Sequence, residues 1–181
     1  IDFTVIKEQN DILGFNLYCV DIYGLLNREQ IYGYDDDNYR YLAFQLAVLE
    51  WLNQWKYQPN VVHVHDYHAG LIPFFMKHGY NYQKLSRIRT VLTIHNAQYQ
   101  GWMDWSFTNF FPSWDNWKAG LLEWNNQINP LAAGIKCADK VNTVSPTYMK
   151  ELLYNANGLE DLFEYEKGKC SGIINGIDFE V

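Results

Sequence analysis

Three histidines and an aspartate fall within ten residues, VVHVHDYHAG, at positions 61–70. His63, His65, Asp66 and His68 are residue types that bind zinc, and the run lies near His-x-His-x-Asp-His, the spacing of dinuclear zinc hydrolases. Here the aspartate stands one place early, and Tyr67 occupies the position where that ligand belongs. In extended backbone His63 and His65 share one face and Asp66 takes the other. His68 belongs to the helix that follows, and downstream only His78 and His95 remain as isolated candidates. Two other readings fit the same residues: histidines hydrogen-bonded inside a sheet, or the polar rim of a pocket for an uncharged ligand. The displaced aspartate and the split faces favour these over a zinc metallohydrolase, so no metal and no cofactor are expected.

The elements around the stretch set where those side chains go. IDFTVIKEQNDILGFNLYCVDI reads as two strands about a polar turn at residues 9–11. In DDDNYRYLAFQLAVLEWLNQW, Tyr41, Phe44, Val48, Leu52 and Trp55 recur at helical spacing, with Asp36 or Asp37 as cap. NVVHVH is then a short strand, and DYHAGLIPFFMKHGY a helix that stops at Gly79. IRTVLTIHN is apolar enough for a strand buried on both faces. INPLAAGIKCA is helical, KVNTV a third strand, and SPTYMKELL a helix with Ser145 at its N-cap and Pro146 at its first position. GKCSGIIN closes as a strand. The alternation predicts one doubly wound, Rossmann-like α/β domain: a mostly parallel sheet with helices on both faces.

The chain has 181 residues, 48% of them apolar, and a net charge of −7 with an isoelectric point near 5.1. That balance argues against nucleic acid and anionic membrane surfaces as partners. No apolar run approaches the ~18 residues of a membrane span. Cys19, Cys137 and Cys170 are odd in number and far apart, which points to free thiols and a cytoplasmic location. Ile1 and the loop-like ending read as a piece of a longer chain. Five of seven tryptophans fall between Trp102 and Trp124. Such a cluster is more often core than cleft, although tryptophans in a loop also stack on sugars or on a partner chain.

In parallel sheets ligands bind beyond the carboxyl ends of the strands. Asp66 leaves the first parallel strand, His95 and Asn96 the second, Ser145 the third, and Asn175, Gly176 and Asp178 the fourth. One or two of these would pass as caps; four polar exits at one edge read as a site. Ser145 in TVSPT lacks the glycines of a nucleophile elbow, so a cap is its expected role. There is no Gly-rich phosphate loop of either common type.

Specific words then accumulate: NREQIYGYDDD, VVHVHDYHAGLIP, TVLTIHNAQYQG, ADKVNTVSPTYMKEL and GLEDLFEYEKGKCSGIINGID. In this order they resemble the N-terminal domain of the bacterial glycogen synthase and plant starch synthase family, over about residues 20–179. The resemblance implies a retaining glycosyltransferase of two-domain GT-B architecture. It would move glucose from a nucleotide sugar, ADP-glucose by expectation, to the non-reducing 4-hydroxyl of an α-1,4-glucan. Position by position, His95 matches the family histidine at the transferred glucose and Asp66 an active-site carboxylate. Asn175 matches an asparagine that reaches the sugar, Tyr32 of IYG a tyrosine of the same cleft, and Asn96 lies beside His95. Tyr67 stands where bacterial members carry tryptophan. The segment after YQG departs from the common pattern. The family's Lys-x-Gly-Gly loop and the cationic residues of its second domain have no counterpart here. Residues 1–181 are therefore expected to be a partial, acceptor-side domain without the first βαβ unit and the nucleotide-binding domain. A non-catalytic glucan-binding protein of the same fold is the alternative.

Overall fold

A computed structural model describes residues 2–9 and 13–177. In chain order the regular elements are β1 (Thr4–Lys7), β2 (Tyr18–Asp21), α1 (Asp37–Gln54), β3 (Val61–His65), α2 (Ile72–His78) and β4 (Arg89–Ile94). After them come α3 (Ala119–Leu122), β5 (Glu123–Trp124), β6 (Gln127–Ile128), α4 (Pro130–Cys137), β7 (Lys140–Thr143), α5 (Pro146–Glu151), α6 (Glu160–Glu166) and β8 (Cys170–Gly172). β3, β4, β7 and β8 form one parallel sheet in that order. All four strands run the same way, so residues 66, 95, 145 and 175 leave from one edge. β1 and β2 pair antiparallel, as expected; of the turn between them, residues 10–12 lie outside the described residues.

The sheet's two faces differ sharply. Val64, Leu92, Ile94 and Val141 point into a core shared with Leu71, Phe74, Phe75, Leu131, Ile135 and Phe163. On the opposite face His63, His65, Lys140 and Ser171 are exposed and Val61 is 49% exposed. Helices on both faces were expected; among the described residues only one face carries the core. Two glycines let the layers on that face approach. A Cβ on Gly70 would meet the Pro130 carbonyl oxygen at 2.3 Å, and one on Gly134 the Gly70 carbonyl at 2.9 Å.

α1 buries more than the predicted stripe. Tyr41 and Leu52 are buried, but so are Leu42, Ala43, Leu46, Ala47 and Leu49, whereas Phe44 and Val48 are half-buried. Core lies on two sides of the helix, because Ala43 and Ala47 also pack on Ile22 below the β1–β2 hairpin. Gln45 is fully buried and satisfied: its Oε1 accepts from the Leu71 amide at 2.7 Å and its Nε2 donates to the Tyr41 carbonyl. Neither Asp36 nor Asp37 caps α1 through its side chain. Both carboxylates turn back to the preceding loop. The final strand is also shorter than expected, since Ile173 and Ile174 are exposed, although the Ile173 amide still donates to the Thr143 carbonyl at 2.8 Å.

The aromatic segment is mostly core cover. Trp105, Phe107, Phe111, Trp114 and Trp124 pack against the main cluster, while Trp117 is 96% exposed. At its end β5 and β6 form a small antiparallel hairpin. Its turn is Asn125–Asn126, both at positive φ (50° and 66°), where asparagine is among the few residues at ease.

Candidate functional site at the carboxyl edge

The chain reverses at Asp66, directly after β3. Its backbone sits at φ 53°, ψ −169°, territory that belongs almost entirely to glycine and costs a side-chain-bearing residue about 1–3 kcal/mol. Two bonds hold it there. The Asp66 amide donates to the Thr93 carbonyl at 2.9 Å, and the His95 amide donates to Asp66 Oδ1 at 2.8 Å. The carboxylate is thus tied across the ends of two neighbouring strands. Strain kept at such a point is a mark of function.

Beside it runs a row of imidazoles. The His63 and His65 rings stack at 4.5 Å, His65 and His95 at 5.3 Å, and His65 Nδ1 lies 3.0 Å from His95 Nε2. His63 Nε2 contacts Thr93 Oγ1 at 2.6 Å, which in turn donates to Asn142 Oδ1. His68 is elsewhere, packed edge-on to Tyr41 at 4.4 Å and against Tyr67 at 3.8 Å. The zinc-like run therefore splits between an open sheet face and a tyrosine nest. Among the described residues no three His, Cys, Asp or Glu side chains converge as a metal site would need.

Burial, and then the proximity of His63 and His95, hold the His65 pKa below the usual imidazole range; burial does the same for His68. Neutral forms are favoured in the folded state, so whatever stability these two groups contribute is present above the unfolded imidazole pKa and is lost as pH falls through the lowered values. Imidazole NMR titration should show both less than half-charged at pH 6.5, where an unperturbed histidine is half-charged.

A cavity of about 650 Å³ opens over Asp66, lined by Tyr32, Gly33, Asp37, Asp66, Tyr67, His68, Asn96 and Tyr99. Four of the six residues singled out in the sequence meet here: Asp66, Tyr67, Tyr32 and Asn96. His95 is next to them through its amide bond to Asp66 but is not part of the lining. Asn175 lies exposed beyond β8 at the same sheet edge, two strands from His95, and does not line this cavity. Asp178 is outside the described residues. His68, one of the four residues read from the sequence as a possible pocket rim, does line it, whereas Asp37, Gly33 and Tyr99 come from the structure alone. The position of Asp37 before a helix reads as a cap, and its spacing does not disclose that its carboxylate turns to the Gly33 and Tyr34 amides.

The lining is aromatic and carries two carboxylates, Asp37 and Asp66. Desolvation, with Tyr41 and Asp37 nearby, pushes the Tyr67 hydroxyl up to about 12, so it stays protonated as a donor. No lysine or arginine lines the cavity. Such a surface suits hydroxyl groups and flat apolar sugar faces better than phosphate.

The motif TIHNAQYQG now has a role at nearly every position. The Asn96 side chain accepts from the Gln98 amide and shapes the turn. The Ala97 amide donates to the Tyr148 hydroxyl of VSPTY at 3.0 Å. Ser145 of the same word caps α5 by accepting from the Tyr148 amide, as expected. Gln100, 3% exposed, donates to the Ala97 and Asn157 carbonyls and accepts from Asn129 Nδ2 at 2.8 Å. Asn129 in turn caps α4 by accepting from the Ala132 amide. Asn129→Ala removes a cap and leaves Gln100 Oε1 without its donor inside the core, so it should cost about 2 kcal/mol, read as a lower denaturant midpoint at unchanged slope.

Comparison with known proteins agrees with this geometry. A parallel sheet whose polar exits gather at one edge is the architecture of open α/β domains that bind their ligands there. A family model, the starch synthase catalytic domain, matches residues 1–165. The chain is 49% identical over 179 residues to a glycogen synthase of Flavobacterium johnsoniae, covering 99% of this chain and 38% of that protein. It is 40% identical over 173 residues to a glycogen synthase of Lactococcus lactis subsp. lactis, covering 93% and 36%. The solved catalytic domain of starch synthase IV from Arabidopsis thaliana, bound to ADP and acarbose, matches with a TM-score of 0.82 at 26% identity, over 98% of this chain and 41% of that one. The chain belongs to the starch synthase catalytic domain family. It spans well under half the length of the relatives it matches.

Proposed function

We propose that the full-length protein transfers glucose from a nucleotide sugar, ADP-glucose, to the non-reducing end of an α-1,4-glucan with retention of configuration. Residues 1–181 form its acceptor-side wall. The observation that carries this is Asp66: a carboxylate held in strained backbone across two strand ends, beside His95 and at a tyrosine-lined cavity without a lysine or arginine. As the glycosidic bond to the diphosphate breaks, positive charge develops at the anomeric carbon and ring oxygen. A fixed carboxylate near that charge, with neutral donors holding the hydroxyls, favours the transition state over the ground state. The departing diphosphate needs cations, and this cavity offers none. The donor's phosphates are accordingly assigned to a second domain; that a family member was solved with ADP and acarbose supports a nucleotide and an oligosaccharide as the two ligands.

His95, Asp66, Asn175, Tyr32, Asn96 and Tyr67 are the residues assigned to the sugars. Asn175 reaches the cleft only if a bound sugar extends beyond the cavity towards β8. None of the described helices is long and apolar enough to cross a membrane. The three cysteines are free, and we place the protein in the cytoplasm on that ground. Burial pushes the Cys137 and Cys170 thiols up to about 12 and 11, which leaves both inert.

The test is chain-length analysis of maltoheptaose incubated with full-length protein and either ADP-glucose or UDP-glucose. Products longer by single hexoses with ADP-glucose, and slower growth with UDP-glucose, are expected. Maltoheptaose binding without elongation by any donor would instead establish the non-catalytic reading.

A further inference from the structure

The cavity's outer rim is a loop, residues 23–36, that buries very little of its own. Ile31 is 68% exposed, Tyr32 59%, and Asn27, Glu29, Gln30 and Gly33 are exposed as well. A segment so poor in apolar contacts is ordinarily mobile. Here polar contacts hold it, and they converge on one buried cation. Arg40, on the first turn of α1, is 3% exposed. Its Nε donates to the Leu25 carbonyl at 2.7 Å and its Nη1 to the Ile31 carbonyl at 3.3 Å and to Asp37 Oδ1.

Asp37 passes the constraint on. Its other oxygen, Oδ2, accepts from the Gly33 amide at 2.7 Å and the Tyr34 amide at 3.2 Å. The Tyr41 hydroxyl donates to the Ile31 carbonyl as well. The Tyr34 ring has the Arg40 guanidinium at 4.9 Å and the Arg28 guanidinium at 4.9 Å. Arg28 closes the loop's base with a bidentate pair to Asp36, both contacts 2.6 Å. Every residue that places the tip therefore leads back to Arg40 within one or two contacts, yet Arg40 does not line the cavity.

We propose that Arg40 is a positioning residue: a guanidinium clamp that holds the Tyr32–Gly33 tip over the cavity and thereby sets the affinity for the glucan acceptor without touching it. The inference rests on reading the cavity as a sugar site. Arginine is required because only a planar fork reaches two carbonyls and a carboxylate together; a lysine keeps the charge and loses the fork. The chemistry at Asp66 and His95 is held by β3 and β4 instead, so the clamp acts on binding rather than on turnover.

The experiment compares full-length wild type with Arg40→Lys. Amide exchange of residues 29–34 should accelerate about tenfold or more, with residues 44–52 of α1 unchanged. The maltoheptaose Kd should rise about tenfold while kcat at saturating glucan stays within about twofold. Should Arg40→Lys not fold, Arg28→Met at the part-exposed base of the loop gives the same test, with a rise in Kd of about threefold. Unchanged exchange at 29–34, or equal losses in kcat and kcat/KM, would overturn the clamp. If wild type itself binds no maltoheptaose, the sugar-site reading fails and the acceptor role fails with it. In that case exchange at 29–34 alone decides whether Arg40 clamps the loop.

Discussion

If the proposed transfer is the activity of the full-length protein, His95→Ala is expected to lower its kcat about 100-fold or more, with a much smaller change in the KM for glucan. The substitution is unusually clean. What fixes Asp66 from this side is the backbone amide of residue 95, at 2.8 Å, and alanine keeps that amide. Only the imidazole is lost. Its orientation is fixed through Nε2, which lies 3.0 Å from His65 Nδ1, and that leaves Nδ1 as the ring nitrogen for a sugar hydroxyl reaching past the cavity. Removing such a prepositioned donor or acceptor weakens the transition state more than the ground state. The check is steady-state kinetics with labelled ADP-glucose and glycogen, alongside the thermal midpoint, which should hardly move because His95 is exposed. A KM effect with kcat intact would remove His95 from the chemistry and leave it a binding group.

The second large effect is structural. Gly101 of YQG sits at φ +72°, and a Cβ there would lie 2.3 Å from Tyr67 Cδ2 and 3.0 Å from Cε2 and Cγ. Gly101→Ala combines left-handed strain with a ring that cannot retreat, since Tyr67 is packed on His68 and edge-on to Tyr41 at 5.8 Å. A loss of about 3 kcal/mol is expected, visible as a fall in denaturant midpoint. The displaced ring is part of the cavity lining, so glucan affinity should fall in the same variant. Loss of stability with unchanged affinity would show that Tyr67 does not shape the sugar site.

These two positions show what the sequence disclosed and what it withheld. The parallel strands were legible because VVHVH and TVLTI carry their own period and are separated by helical stretches. Their polar exits followed from the direction of the chain, which is why Asp66, Tyr67 and Asn96 could be placed at one edge. The identity of YQG as a motif was visible, but its reason was not. Gly101 is needed because of a ring thirty-four residues upstream, and no local pattern encodes that contact. Asp37 misled for a related cause. An aspartate before a helix reads as a cap, whereas here its carboxylate is taken by Arg40 and the loop amides. The bare sheet face was hidden as well. Alternation marks a face as polar or apolar but does not say whether another element covers it, and His63 and His65 fit either case.

The most direct test of the central claim, that the cavity over Asp66 is where sugar is bound for transfer, is a crystal structure of the full-length protein with maltoheptaose. The expected map shows a terminal glucose against Tyr32, Tyr67 and Tyr99 with hydroxyls within hydrogen-bond reach of Asp66 or His95. Well-defined sugar elsewhere on the molecule, with this cavity holding only solvent, would contradict it.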